Sequence, residues 1–250
     1  ANPAAWLTYL DPDGKDGVTG QAYSDANSGG RGVSFMMNTD YVLDSIWQKD
    51  DGDIRNSPYN IVRDFKYTNP KSRWFDSSAV KYPSPTWIAQ HWRWYPWLTK
   101  TTTPGNHPDG VYEDKSQQIL KSTAGSTYRD MYMLRLAETY LLRAEAYFDK
   151  GDLGDAANDL NVIRQRAHAP LITPSDVTLD YILDERAREL TYEEPRRITL
   201  CRTGTLVERV RKYNSLNADE IKDNNNLWPI PYSEIEANTG AQLDQNPGYN

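Results

Sequence analysis

The sequence predicts a mainly α-helical protein, one half of which is an irregular, loop-rich region with short strands. Two observations predict it. From about residue 131 to 212 the apolar residues recur at spacings of three and four, the period of an α-helix. Residues 1–130 lack that period and are rich in Gly, Pro, Asn, Asp and Ser, with brief β-prone runs such as IVRDFKY at 61–67.

The elements follow in order. YMLRLAETYLLRAEAYFDK (132–150) predicts the first long helix, with Leu134, Ala137, Leu141, Ala144 and Phe148 on one stripe that Tyr140 and Tyr147 widen. Gly151-Asp152 breaks it. A second helix is expected over about 154–167, with Ala156, Ala157, Leu160, Ile163 and Ala167 on one face and Pro170 just beyond its end. Together they make an antiparallel hairpin. Ala144, Tyr147, Gly151, Ala156 and Leu160 follow the small–aromatic–turn–Ala–large spacing of a tetratricopeptide (TPR) repeat. A single hairpin of this kind cannot bury both faces, so it is expected to pack on something else.

A third helix is expected over about 178–192, after a cap signal at Ser175-Asp176, and to end at Pro195. Leu179, Ile182, Leu183, Ala187 and Leu190 form its apolar face. Its other face carries Asp184, Glu185, Arg186, Arg188, Glu189, Glu193 and Glu194. A shorter helix over 203–212, an extended LWPIP segment (227–231) and a last helical turn capped by Ser233 and Glu236 complete the chain.

Hydrophobic residues make up only 38% of the 250 while aromatics make up 12%, so much of the apolar volume is Trp and Tyr, which tolerate a half-wet surface. The net charge of −7 argues against nucleic acid or an anionic membrane as the main partner. Cys201 is the single cysteine, which excludes an intrachain disulfide framework. No apolar run approaches the roughly 20 residues that span a bilayer. The opening ANPAAWLTYL is not a signal peptide and carries no initiator Met, so a mature or truncated product is expected.

Three stretches resemble the C-terminal half of the SusD/RagB family of surface glycan-binding lipoproteins. They are MLRLAETYLLRAEAYFDKGDLGDAANDLNVIRQRA (133–167), ILDERARELTYEEPRRITLCRTG (182–204) and LWPIPYSEIEANTGAQLDQNPGY (227–249). The resemblance covers about 110 residues closely and the loop-rich half loosely. It implies a helical scaffold with TPR-like hairpins and an irregular region above it. It also implies binding rather than catalysis, no cofactor, a glycan ligand, and a SusC-like TonB-dependent transporter as partner. Residues 1–250 would then form one C-terminal domain, with 1–130 the candidate ligand region and 131–250 the scaffold and tail. Two departures stand out. The family's N-terminal half with its lipobox Cys is absent, which implies a fragment of a longer protein lipid-anchored at the outer-membrane surface through the missing part. Glu194-Pro195-Arg196 also replaces the family's usual small-and-aromatic stretch.

WIAQHWRWYPW (87–97) holds four of the chain's eight tryptophans. Flat C–H faces of sugars stack on electron-rich rings, so Trp87, Trp92, Trp94, Tyr95 and Trp97, with Arg93, form a candidate glycan platform. The competing reading makes each ring an anchor of the loop region. In an extended strand Trp92 and Trp94 point one way, Arg93 and Tyr95 the other. DPDGKDG (11–17) has calcium-loop oxygens at Asp11, Asp13 and Asp16 but Lys15 at a ligand position, so an Asx/Gly turn is the expectation. KDDGDIRN places Asp51, Asp53 and Arg55 in a polar turn.

The carboxylates of the third helix resemble a glycosidase pair only superficially. Neighbouring arginines lower carboxylate pKa values where a general acid needs one raised, so a structural ion-pair network is expected. His91, His107 and His168 lack metal-ligand spacing, and no nucleophile elbow, P-loop or dinucleotide motif occurs. The leading function is glycan capture and delivery to the transporter. Its rival is an adaptor that docks through the TPR-like helices and binds no sugar; a glycoside hydrolase is a third, weaker reading.

Overall fold

A computed structural model describes residues 10–17, 37–49, 51–89, 95–101, 105–121, 123–124 and 130–249. Its helices are α1 (Asp40–Leu43), α2 (Pro85–Ala89), α3 (Leu136–Lys150), α4 (Leu153–Arg166), α5 (Leu179–Leu190), α6 (Arg196–Arg202), α7 (Leu206–Tyr213) and α8 (Tyr232–Ala237). Two antiparallel ribbons pair β1 (Ile61–Val62) with β2 (Trp97–Leu98), and β3 (Tyr112–Asp114) with β4 (Ile119–Leu120). The mainly helical expectation holds, and the IVRDFKY run forms a strand only at its first two residues. The chain divides into two compact units. One holds residues 46–193 together with the N-terminal stretch to 38; the other holds 39–45 and 194–250.

In the first unit the hairpin forms where the small residues predict it. Leu141 and Ala144 of α3 pack on Ala156, Ala157, Leu160 and Ile163 of α4, and Ile182 and Leu190 of α5 close the same core. Alanines at the crossing let the backbones approach. Gly151 ends α3 in the left-handed region at φ 83°, where a side chain would be strained, and its N–H donates to the Phe148 carbonyl at 2.9 Å. Arg143 then fastens the two helices with a forked pair of 2.7 Å bonds to Asp159.

Several boundaries differ from the sequence reading, each for a physical reason. The first helix starts at Leu136, so Leu134 lies outside it and is exposed. The cap of α5 is Thr178, whose side chain accepts from the Tyr181 N–H at 3.0 Å, while Thr173 and Asp176 cap their own short turn. Pro195 does not terminate α5, which stops at Leu190. It stands at the N-cap of α6, a helix absent from the expectation, where its missing N–H costs nothing. Ser233 lies within α8 rather than capping it, since Pro231 holds the N-cap position.

The second unit explains the chain-end motif. The Gln245 side-chain amide donates to the Ile230 carbonyl at 2.8 Å and accepts from the Ile230 N–H at 2.7 Å. One amide thus satisfies both backbone groups of an extended residue that has Pro on either side and no strand partner. Asn246 donates to the Trp228 carbonyl, and the Tyr249 hydroxyl donates to that of Leu227. Gly248 sits at φ 85°, and an added Cβ there would meet Asn224 at 2.7 Å. Tyr41 stacks on Tyr213 with ring centroids 3.7 Å apart, and Arg209 covers the Tyr213 ring.

Candidate functional site

Two surfaces of the first unit carry chemistry, and the β1–β2 ribbon stands between them. Side chains alternate across a strand. Val62 and Trp97, which are paired, face an aromatic cluster. Ile61 and Leu98, also paired, line a cavity of about 360 Å³.

The aromatic cluster has a buried floor of Phe65, Tyr67, Ala79 and Trp97, with Trp74 and Trp87 half-buried against it. Trp74 and Tyr82 lie 5.2 Å apart at 45°, and Tyr82 is exposed. Tyr67 donates to the Tyr82 carbonyl at 2.7 Å, and burial pushes the Tyr67 phenol up to about 12. The loop at 11–17 braces this rim. Asp11 accepts from the N–H groups of Asp13 and Lys15 and from the Ser72 hydroxyl, which is the expected Asx turn. Asp13 takes a forked pair of 2.6 Å bonds from Arg73 and a third from the Trp74 indole at 3.1 Å. Arg73 in turn lies over the Trp74 ring. Among the described residues no group of His, Cys, Asp or Glu is arranged to hold a metal ion.

Of the sequence-predicted platform, Trp97 is only 5% exposed and Tyr95 is buried, so both take the anchoring role. Trp87 keeps part of its surface open. Trp92, Arg93 and Trp94 lie outside the described residues, as does His91. Trp74 and Tyr82 join Trp87 here although the sequence reading did not single them out. Their signal was present in the pairing of each with a preceding cation, Arg73 and Lys81.

The cavity is walled by the ion-pair network of α5. Glu185 is fully buried and meets Arg164 and Arg188, each at 2.8 Å. Arg55 Nη1 lies 2.9 Å from Glu185 Oε1, close enough for charge attraction though off the line of a hydrogen bond. Burial alone would raise the Glu185 pKa. Arg188, Arg55 and Arg164 outweigh it and push the carboxyl down to about 2. Glu189 takes Arg55, Arg135 and Arg166, and Glu193 takes Arg135 and Lys100. Asp53 accepts a forked pair from Arg55, so the Asp-x-Arg turn is the bridge between the loop half and α5. Within this network the carboxyls whose pKa moves, Glu185 and Glu193, move down, which is the direction opposite to a general acid. The expected network is therefore present. Apart from Arg188 on α5 itself, however, its cations come from distant segments that no local pattern on α5 could name.

A helical hairpin on a charged α5 scaffold, an irregular aromatic region and a Gln-Asn-Pro-Gly-Tyr latch define a class. The chain belongs to the SusD family, which matches residues 9–249. It is 37% identical over 144 residues to the starch-binding protein SusD of Bacteroides thetaiotaomicron, and 31% identical over 167 residues to the SusD-like protein P38 of Formosa agariphila. These matches cover 55% and 62% of this chain, and 24% and 31% of those proteins' own lengths. The crystal structure of a SusD superfamily protein from Bacteroides vulgatus shares the fold, with a TM-score of 0.56 at 22% identity over 84% of this chain and 44% of that one. No described helix is long and apolar enough to cross a membrane.

Proposed function

We propose that this chain is the glycan-binding part of a non-catalytic surface protein that captures oligosaccharide and passes it to a SusC-like, TonB-dependent transporter in the outer membrane. The observation that carries the reading is the aromatic rim of Trp74, Tyr82 and Trp87, set on a buried floor and edged by the polar groups of Asp13, Arg73 and Lys81. Stacking faces with polar groups between them suit a sugar chain. Family membership and the starch-binding relative support the same class of ligand. The surface location, lipid anchor and transporter partner are what the family resemblance implies, and they are part of the same proposal. Weak binding suits hand-over, because a long residence time would block delivery.

The test is affinity electrophoresis against a panel of polysaccharides, with the variants W74A/Y82A and W92A/W94A alongside. Retardation of the wild type by one neutral glycan, lost in either variant at unchanged far-UV circular dichroism, supports a sugar platform. Equal mobility of all three proteins in every gel overturns it.

One observation favours a second reading, an adaptor that docks through the hairpin. Met131, Met133, Leu134 and Leu136 form an exposed apolar run at the start of α3, with Met133 95% exposed. Substituting M133E/L134E would abolish transporter capture on that reading and leave glycan retardation intact.

A further inference from the structure

The cavity on the far face of the β1–β2 ribbon has no part in the aromatic platform. Its walls are unusual for a purely structural gap. Five cationic side chains reach it, Arg55, Lys100, Arg135, Arg166 and Arg188, against the two carboxylates Glu189 and Glu193. Two aromatic rings, Trp47 and Tyr132, and the apolar Ile61 and Leu98 complete the lining. At about 360 Å³ the space falls in the lower part of the range of small-molecule sites. It is reachable from solvent, because Tyr132 is 63% exposed and the Arg166 side chain is 61% exposed.

We infer that this cavity binds a carboxylate-bearing sugar unit, a uronic acid, with the carboxylate among the arginines and the ring against Tyr132. The inference rests on the glycan reading for the ring and on the cavity alone for the charge. Behind the wall Asp53 and Glu185 also hold Arg55 and Arg188, so the five cations exceed their carboxylates by one, and an entering anion balances that remaining charge. Guanidinium groups present planar forks that match a carboxylate edge to edge. Lys100 adds to this: burial pushes its ammonium pKa down even though Glu193 holds it at 2.8 Å, so further negative charge nearby favours its protonated form. Tyr132 offers the exposed aromatic face on which a sugar's C–H surface packs.

Arg166 is the residue to change, since it touches Glu189 from the solvent side while Arg55 and Arg135 keep holding that carboxylate. The 250-residue chain would be titrated calorimetrically with glucuronate, glucose and acetate, at low and high salt, beside R166Q, Y132A and the platform variant W74A/Y82A. Glucuronate is expected to bind at least tenfold more tightly than glucose or acetate. R166Q should weaken it at least tenfold and Y132A severalfold, with far-UV circular dichroism unchanged, and added salt should weaken it further. Absence of glucuronate binding, equal affinity for glucose, or indifference to R166Q overturns the proposal. Equal affinity for acetate overturns the sugar part by showing a bare carboxylate site. The W74A/Y82A protein separates the two readings: it should lose neutral-glycan retardation while keeping glucuronate, so either site can fail without the other.

Discussion

The α3–α5 scaffold and the loop-rich region of residues 51–120 are held together by opposite means. In the scaffold, helical periodicity supplies a continuous apolar core, and the charged face of α5 is buried as well, with Glu185, Arg186, Arg188 and Glu189 all inside. In the loop-rich region the ribbons are two or three residues long, and a few large rings carry the packing. Distributed order tolerates the loss of one contact, whereas order concentrated in a few rings leaves the surrounding backbone available for binding. A charged centre reverses this for the scaffold at one point, because Glu185 meets three arginines at once.

The largest effect should therefore come from that carboxylate. E185Q keeps the shape but deprives buried Arg164 and Arg188 of their carboxylate, at a cost of about 3–5 kcal/mol. At about 2–4 °C per kcal/mol for a chain of this size, the melting temperature should fall on the order of 10 °C, by calorimetry. An unchanged melting point would show the network to be dispensable and would erase the comparison.

W97A removes the floor of the aromatic cluster and should cost about 3–5 kcal/mol locally. The near-UV circular dichroism bands should collapse while the far-UV helical signal stays. Joint loss of both signals would mean that the two regions melt as one.

Acid provides a graded test. The Glu185 carboxyl titrates at about 2 in the folded state against an ordinary 4.5, so the stability it contributes is fully present above about pH 4.5 and is lost as pH falls toward 2. Urea midpoints measured from pH 7 to 2.5 should be flat and then decline below 4.5. Smallest of all should be R73A. Its forked bond to Asp13 is on the surface, where solvent screens the pair, so the melting temperature should barely move. Any change in glycan retardation by R73A would then report on the Trp74 surface rather than on folding.

These differences also decide what could be read from the residues. The hairpin was legible because Ala144, Ala156 and Leu160 repeat at helical spacing and touch along one seam. The family was legible because its motifs carry strict local duties, such as Gly248 at positive φ and Gln245 on Ile230. α6 was missed because a proline reads equally as a stop or as a first-turn residue, and only the chain beyond Leu190 chooses. The aromatic site was half legible. Composition marks a ring-rich stretch, but whether a ring is floor or rim depends on partners far away, as with Trp97 and Val62. The cations around Glu189 were out of reach for the same reason, since Arg55, Arg135 and Arg166 sit on three separate segments.

The two-residue ribbon has a further consequence. With a period of two, a slip of β2 by one residue would swing Trp97 into the cavity and Leu98 into the aromatic cluster. The same slip would block one surface and hollow out the other. Both surfaces are thus written on opposite sides of one page, and an insertion or deletion inside the strand edits them together.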